Sequence, residues 1–117
     1  MKLSMSQKLI TLSVLGVAAA AFSGTSSAAV DAAAAQALAK KSDCLKCHAV
    51  DKTKKAPSYQ KIAAKWKGKA DAEAKLIDVI TKAPKVKMED GTQEEHKVIA
   101  TKDMNEIKNV VGWILAQ

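Results

Sequence analysis

The sequence contains no arginine and has few aromatic, cysteine, proline and glycine residues. Its 19 basic residues are all lysine, and with 12 acidic residues they give a net charge of +7. Aromatics make up 3% of the chain, and there are two cysteines, two prolines and five glycines. These counts exclude a disulfide-dense scaffold and a collagen-like chain. A length of 117 residues excludes a multidomain enzyme, and a single long apolar run excludes a polytopic membrane protein.

That apolar run lies near the start of the chain and predicts a signal peptide. Lys2 and Lys8 precede an uncharged stretch over residues 9–22, and small residues then lead to Ser27-Ala28-Ala29. A basic front end, an apolar stretch and a small-x-small site are the three parts of a secretory signal. We expect cleavage after Ala29, with Ala28 as a neighbouring option and an uncleaved anchor as the alternative. The domain would then span residues 30–117 in the bacterial periplasm, without stable membrane insertion.

The region after the predicted cleavage site has little to bury. It contains 88 residues, among them 17 Val, Leu and Ile, two Met and three aromatics. Its lysines number 17 against 12 acidic residues, so its net charge is +5. A domain this small with so few large apolar side chains normally needs a staple or a bound cofactor.

The cysteines provide a candidate for that cofactor. They occur in Cys44-Leu45-Lys46-Cys47-His48, which is the attachment signature of haem c. Thiols three positions apart on one helical turn reach two vinyl groups on one porphyrin edge and form thioethers. The next imidazole then projects under the iron. We therefore expect one covalent haem c, held by Cys44 and Cys47, with His48 as the proximal iron ligand.

Other uses of a Cys-x-x-Cys pair fit the sequence less well. A thioredoxin-like redox pair requires a βαβ context, and no strand-like alternation is visible. A zinc site requires further ligands of similar quality, and His96 is the only other histidine. A disulfide across two residues would remove little entropy from the unfolded chain.

The remaining sequence predicts an all-α domain without repeats or an internal boundary. Four helices are expected, over residues 31–42, 58–66, 71–81 and 103–117, with a long loop over residues 85–101. In the last helix, Asp103 and Glu106 resemble a capping box. Met104 begins a wide apolar stripe on this helix and is expected in the core.

With these elements in order, the chain resembles the small bacterial class I cytochromes c. The first helix leads into the Cys-x-x-Cys-His motif, and a lysine-rich loop then precedes Ala56-Pro57-Ser58-Tyr59 where the family has a Gly-Pro pair. Val111 to Leu115, with Trp113, resembles the family's terminal helix. The resemblance implies a cytochrome c fold of about four helices around one haem, in an electron carrier rather than an enzyme.

The resemblance also suggests which residues surround the haem. It implies that Pro57 lies near the proximal imidazole and that its carbonyl accepts a hydrogen bond from His48. Tyr59 and Trp66 are candidates to line the pocket, and the Trp66 indole N–H is a candidate donor to a haem propionate. Packing alone is the alternative interpretation of both aromatics.

The sequence departs from the family pattern at the second iron ligand. The family usually places a Met beside a Pro in the loop before the last helix. The corresponding position here is His96, within Glu95-His96-Lys97. We therefore expect His48 and His96 to be the two iron ligands. Met88, in the same loop, is the alternative, and a solvated His96 with no protein ligand is the remaining one.

Ligation by two histidines predicts a low-potential electron carrier, because methionine on iron raises the potential and imidazole favours ferric iron. The alternative function is binding or sensing of a diatomic gas, which requires a labile His96. We expect a monomer whose redox partners have acidic docking surfaces. The lysines that flank the haem motif and the ligand loop would steer them: Lys46, Lys52, Lys54, Lys55, Lys85, Lys87 and Lys97. Nucleic acid is not an expected partner, because the domain is exported and lacks arginine.

Overall fold

The computed structural model describes residues 29–117. The predicted signal peptide lies outside these residues except for Ala29. Four α-helices dominate, which confirms the predicted fold class, and a short 3₁₀ helix and a small hairpin accompany them. In chain order the elements are α1 (Ala32–Lys41), the 3₁₀ helix (Cys44–Lys46), α2 (Tyr59–Trp66), α3 (Ala72–Lys82), β1 (Lys85–Lys87), β2 (Gln93–Glu95) and α4 (Met104–Leu115).

Three of the helices begin at side-chain caps that the sequence indicates. The Asp31 carboxylate accepts from the Ala34 N–H at 3.0 Å, and Ser58 Oγ accepts from the Lys61 N–H at 3.1 Å. At α4 the Asp103 carboxylate accepts from the Asn105 N–H at 2.8 Å. Each cap satisfies a backbone donor that has no partner within the helix. These caps explain why the predicted helix starts are close to the observed ones.

The predicted capping box at α4 is wrong in its second half. Glu106 does not return to the cap residue; its carboxylate accepts a hydrogen bond from the Thr101 hydroxyl. The same hydroxyl accepts from the Asp103 N–H at 3.1 Å. Thr101 therefore satisfies the Asp103 backbone donor that Glu106 was expected to satisfy.

Residues 85–101 are not the featureless loop that we expected. β1 and β2 pair antiparallel, with Val86 opposite Glu94. In the turn between them, the Met88 N–H donates to the Thr92 carbonyl at 2.8 Å, and Gly91 adopts a φ of +87°. Each strand has only three residues, mostly exposed and charged, so the sequence shows no apolar alternation.

The core is centred on α4, which packs against α1, α2 and α3. Its buried side chains are Ile107, Val110, Val111, Trp113 and Ile114. The expectation that Met104 belongs to this core is wrong, because its side chain is 47% exposed. Met104 is the first residue of α4, and burial begins almost one turn later. No helix of the described residues is long and apolar enough to cross a membrane.

The segment before α1 is tied to α4 by a reciprocal pair of hydrogen bonds. The Asp31 N–H donates to Asn109 Oδ1 at 2.8 Å, and Asn109 Nδ2 donates to the Asp31 carbonyl at 2.9 Å. Next to this pair, Val30 Cγ2 lies 3.1 Å from the position that a Cβ on Gly112 would occupy. The absence of a side chain at Gly112 therefore allows the close approach of Val30.

We expect Asn109→Ala to destabilise the domain by about 1–2 kcal/mol, because two hydrogen bonds worth about 0.5–1.5 kcal/mol each are lost. Thermal unfolding of the holoprotein would show this as a Tm lower by several degrees. Asn105→Ala is the matched control, since it makes the same exchange at an exposed position of α4. Equal Tm values for the two variants would contradict the role given to Asn109.

Candidate haem centre

A cavity of about 460 Å³ opens beside α2, α3, α4 and the segment that carries the hairpin. Its wall is mostly apolar and includes Ile62, Leu76, Ile80, Val110, Val111 and Ile114. A smaller cavity adjoins it and shares several of its lining residues, which are Cys44, His48, Ala56, Val86, Met88 and His96. Apolar walls with a few convergent polar groups are typical of cofactor sites.

The Cys-x-x-Cys-His segment forms one edge of this site. The 3₁₀ helix is closed by the Cys47 N–H and the His48 N–H, which both donate to the Cys44 carbonyl, at 3.2 and 2.9 Å. Asp43 comes just before this 3₁₀ helix and adopts a left-handed φ of +59°, so the chain turns sharply where the helix begins. Cys44 lines both cavities and Cys47 lines the smaller one. Both cysteines are half-buried, and burial raises the pKa of the Cys44 thiol.

His48 is held with one ring nitrogen available toward the cavity. Its Nδ1 lies 2.6 Å from the Pro57 carbonyl oxygen, so Nδ1–H donates and Nε2 keeps its lone pair. This is the hydrogen bond that the family resemblance implied. Burial lowers the pKa of His48, and the nearby His96 lowers it further. The hydrogen bond to the Pro57 carbonyl raises this pKa, but the net shift is downward. The neutral imidazole is the form that binds a metal ion.

His96 lies across the cavity from His48. Its ring centroid is 6.2 Å from that of His48, and the two ring planes are inclined at 42°. His96 Nδ1 lies 2.8 Å from the Lys97 carbonyl oxygen, so this ring also has Nε2 available. A ring N–H bound to a backbone carbonyl is the usual arrangement of a metal-ligating histidine.

The spacing of the two rings fits a single metal atom between them. Two imidazole–metal bonds of about 2.0–2.1 Å, with about 1.2 Å from each nitrogen to its ring centre, give about 6.4–6.6 Å. The observed separation is 6.2 Å. The donor set therefore suits a haem iron with two nitrogen ligands, in a cavity whose edge carries the two thiols.

The other predicted pocket residues also line the larger cavity. Tyr59 is buried and stacks on the His48 ring, with centroids 5.2 Å apart and planes inclined at 17°. Trp66 is half-buried, and the ammonium groups of Lys65 and Lys69 lie 5.8 and 5.1 Å from its ring centre. Met88, the alternative sixth ligand, is buried and lines both cavities. Both candidates for the second ligand are therefore at the site.

Comparison with known proteins identifies the family. The sequence profile of cytochrome c matches residues 32–117. The chain belongs to the cytochrome c family. The crystal structure of the class 1 cytochrome MtoD from Sideroxydans lithotrophicus ES-1 superposes with a TM-score of 0.72, at 55% identity, over 75% of this chain and 97% of that one.

More distant cytochromes agree with this assignment. Cytochrome c552 of Nitrosomonas europaea superposes with a TM-score of 0.54, at 30% identity, over 68% of this chain and 95% of that one. Cytochrome c-551 of Pseudomonas aeruginosa is 42% identical over 45 residues, which is 38% of this chain. The match spans 43% of that curated relative's length.

Family membership fixes the cofactor and the general function. Cytochromes c bind one covalently attached haem c, and Cys44 and Cys47 fit the attachment motif. This cytochrome is therefore a monohaem electron-transfer protein that exchanges electrons with redox partners.

The structure shows a feature of the lysines that the sequence did not. Lys46 Nζ lies 3.0 Å from a carboxylate oxygen of Asp43, and Lys54 Nζ donates to the Leu45 carbonyl at 2.8 Å. Asp43, Glu94 and Glu95 also line the smaller cavity. The edge near the thiols therefore has both signs of charge, and acidic side chains lie among the flanking lysines that the sequence pointed to.

Proposed function

We propose that this cytochrome is a periplasmic carrier whose haem iron is ligated by His48 and His96 and has a low midpoint potential. The single observation that supports the proposal is the placement of the two rings, 6.2 Å apart across the cavity. The predicted signal peptide supports the periplasmic location, where haem c is attached.

The hydrogen bonds at both rings favour ferric iron. Each Nδ1–H is directed at a backbone carbonyl, Pro57 for His48 and Lys97 for His96. A carbonyl partner orients the imidazole and raises the basicity of the ligating nitrogen. Two such nitrogen ligands stabilise ferric over ferrous iron relative to a His/Met pair, so the midpoint potential falls.

Ligation by Met88 would require a rearrangement of the site. The gap between the two rings accommodates one metal atom, so a thioether could bind only after His96 moved aside. Met88 is also fixed in the hairpin turn, where its N–H donates to Thr92 and its carbonyl accepts from Gly91 at 3.0 Å. The separation of the two rings therefore favours His96 as the ligand in the resting protein.

The chain's own residues have a simple task in electron transfer. Bound haem supplies a one-electron ferric/ferrous couple. The apolar wall excludes water, the carbonyl of Pro57 orients His48, and the thioethers prevent loss of the cofactor when the domain opens. The smaller cavity lies beside Cys47, and we propose this edge as the place where electrons enter and leave.

Redox titration tests the proposed ligands. His96→Met is expected to raise the midpoint potential clearly above the wild-type value, by a fraction of the roughly 0.8 V range that all axial ligand types span. Met88→Leu is the comparison variant, and its potential is expected to stay near the wild-type value. A wild-type potential in the usual His/Met range, lowered by Met88→Leu, would contradict the proposal.

We further propose that a monomer docks acidic redox partners through exposed lysines near the haem edge. Lys52, Lys55 and Lys97 are exposed, and Lys97 lines the smaller cavity. Changing all three to Glu is expected to slow electron transfer to an acidic redox protein by about 10-fold or more at low salt. The matched control is Lys67→Glu/Lys75→Glu/Lys102→Glu, which changes the net charge equally. Equal slowing by both triple variants would contradict a localised docking surface.

A further inference from the structure

Tyr59 stacks on the ring of the proposed proximal ligand. It is the first residue of α2, and its side chain is only 2% exposed. Its ring lies almost parallel to the His48 imidazole, at 5.2 Å and 17°. We propose that Tyr59 is a positioning residue that fixes the plane of the His48 imidazole. This inference rests on the proposed ligation of iron by His48.

The hydrogen bond from His48 to Pro57 does not fix that plane by itself. A bond at Nδ1 sets the direction of one ring atom, but the ring can still tilt about the line through Nδ1 and its acceptor. A flat neighbour against one ring face opposes this tilt. The nearly parallel Tyr59 ring supplies that face, so hydrogen bond and stack together define the orientation.

Tyr59 is itself held by two other parts of the fold. The Trp113 indole on α4 contacts it edge-to-face, with centroids 5.3 Å apart and planes inclined at 71°. The Tyr59 N–H donates to the Ala49 carbonyl at 2.9 Å, which ties the start of α2 to the residue after His48. The orientation of the imidazole is therefore coupled to α4 through two aromatic rings.

The phenol hydroxyl is not required for this role. The hydroxyl hydrogen-bonds to the Cys44 side chain and not to His48. What touches His48 is the ring face. Phenylalanine should therefore replace Tyr59 in positioning the ligand, whereas leucine should not.

Electron paramagnetic resonance of the ferric holoprotein reads the ligand planes directly. The g values of low-spin ferric haem depend on how the axial ligand planes are oriented relative to each other and to the porphyrin, and the two histidine planes here differ by 42°. We expect Tyr59→Leu to shift and broaden the signal at the largest g value, and Tyr59→Phe to leave it unchanged. Ile107→Ala is the control for general destabilisation, because Ile107 is a buried residue of α4 that does not line either cavity that contains His48.

The outcomes separate this inference from the proposed ligand pair. A Tyr59→Leu signal identical to wild type, in a folded low-spin protein, would overturn the positioning role. If Tyr59→Leu does not accumulate, Trp113→Phe decides, because loosening the edge contact should shift the signal in the same direction. An unshifted Trp113→Phe signal would overturn the inference. A Met ligand would show instead as a sulfur-to-iron charge-transfer band in wild type, and the Tyr59 comparison would still report on His48.

Discussion

Replacing His96 with alanine is expected to convert the ferric haem from low-spin to high-spin. The substitution removes the imidazole whose ring lies 6.2 Å from that of His48, and leaves water or an open position on the iron. With only one strong-field axial ligand, ferric haem does not stay low-spin. The visible spectrum at neutral pH would show the change, and the ferrous variant should bind carbon monoxide far faster than wild type.

Met88→Leu is the matched comparison for this experiment. The substitution changes a buried side chain of the same cavity with little change in volume. We expect the ferric Met88→Leu variant to remain low-spin, with the same spectrum as the wild type. The reverse pattern, with a low-spin His96→Ala and a high-spin Met88→Leu, would identify Met88 as the ligand. Rapid carbon monoxide binding by wild type itself would favour the gas-binding alternative.

Removing both thioether attachments is expected to abolish the folded domain. Cys44→Ser/Cys47→Ser cannot hold haem covalently, and the protein then has to fold around the cavity of about 460 Å³. Without the haem, the apolar wall of this cavity is exposed to water, and the small core loses the burial on which its stability depends. Small domains have a total stability of only about 5–15 kcal/mol. The cofactor is therefore a principal part of the core.

Haem staining after denaturing electrophoresis and far-ultraviolet circular dichroism would measure the two effects. We expect the double variant to lose both the covalent stain and the cooperative helical unfolding transition. The single variants Cys44→Ser and Cys47→Ser retain one possible thioether each and should show intermediate stability. A haem-free double variant that unfolds cooperatively with wild-type helicity would show that the cavity is not needed for folding.

The helices and the attachment segment could be predicted because their signals are local. Asp31, Ser58 and Asp103 each precede a helix and cap it with their own side chains. The Cys-x-x-Cys-His segment needs only its own spacing to indicate haem attachment. The placement of His96 came from a family pattern, and the structure adds the distance across the cavity and the carbonyl partner.

The features that were missed depend on contacts between distant residues. The pairing of Val86 with Glu94 joins two short polar segments that show no strand periodicity. Met104 follows the apolar stripe of α4, but its position at the first residue leaves it exposed. The stack of Tyr59 on His48 requires α2 to begin where Ser58 caps it, and the sequence indicated only an aromatic near the pocket.

The absorption spectrum of the ferric wild-type holoprotein, extended into the near infrared, tests the central claim most directly. A methionine sulfur on ferric iron gives a charge-transfer band at the red end, and two imidazoles do not. With His48 and His96 as ligands, the spectrum should be low-spin and lack this band. A low-spin spectrum that contains the band, and loses it in Met88→Leu, would contradict the account of the site.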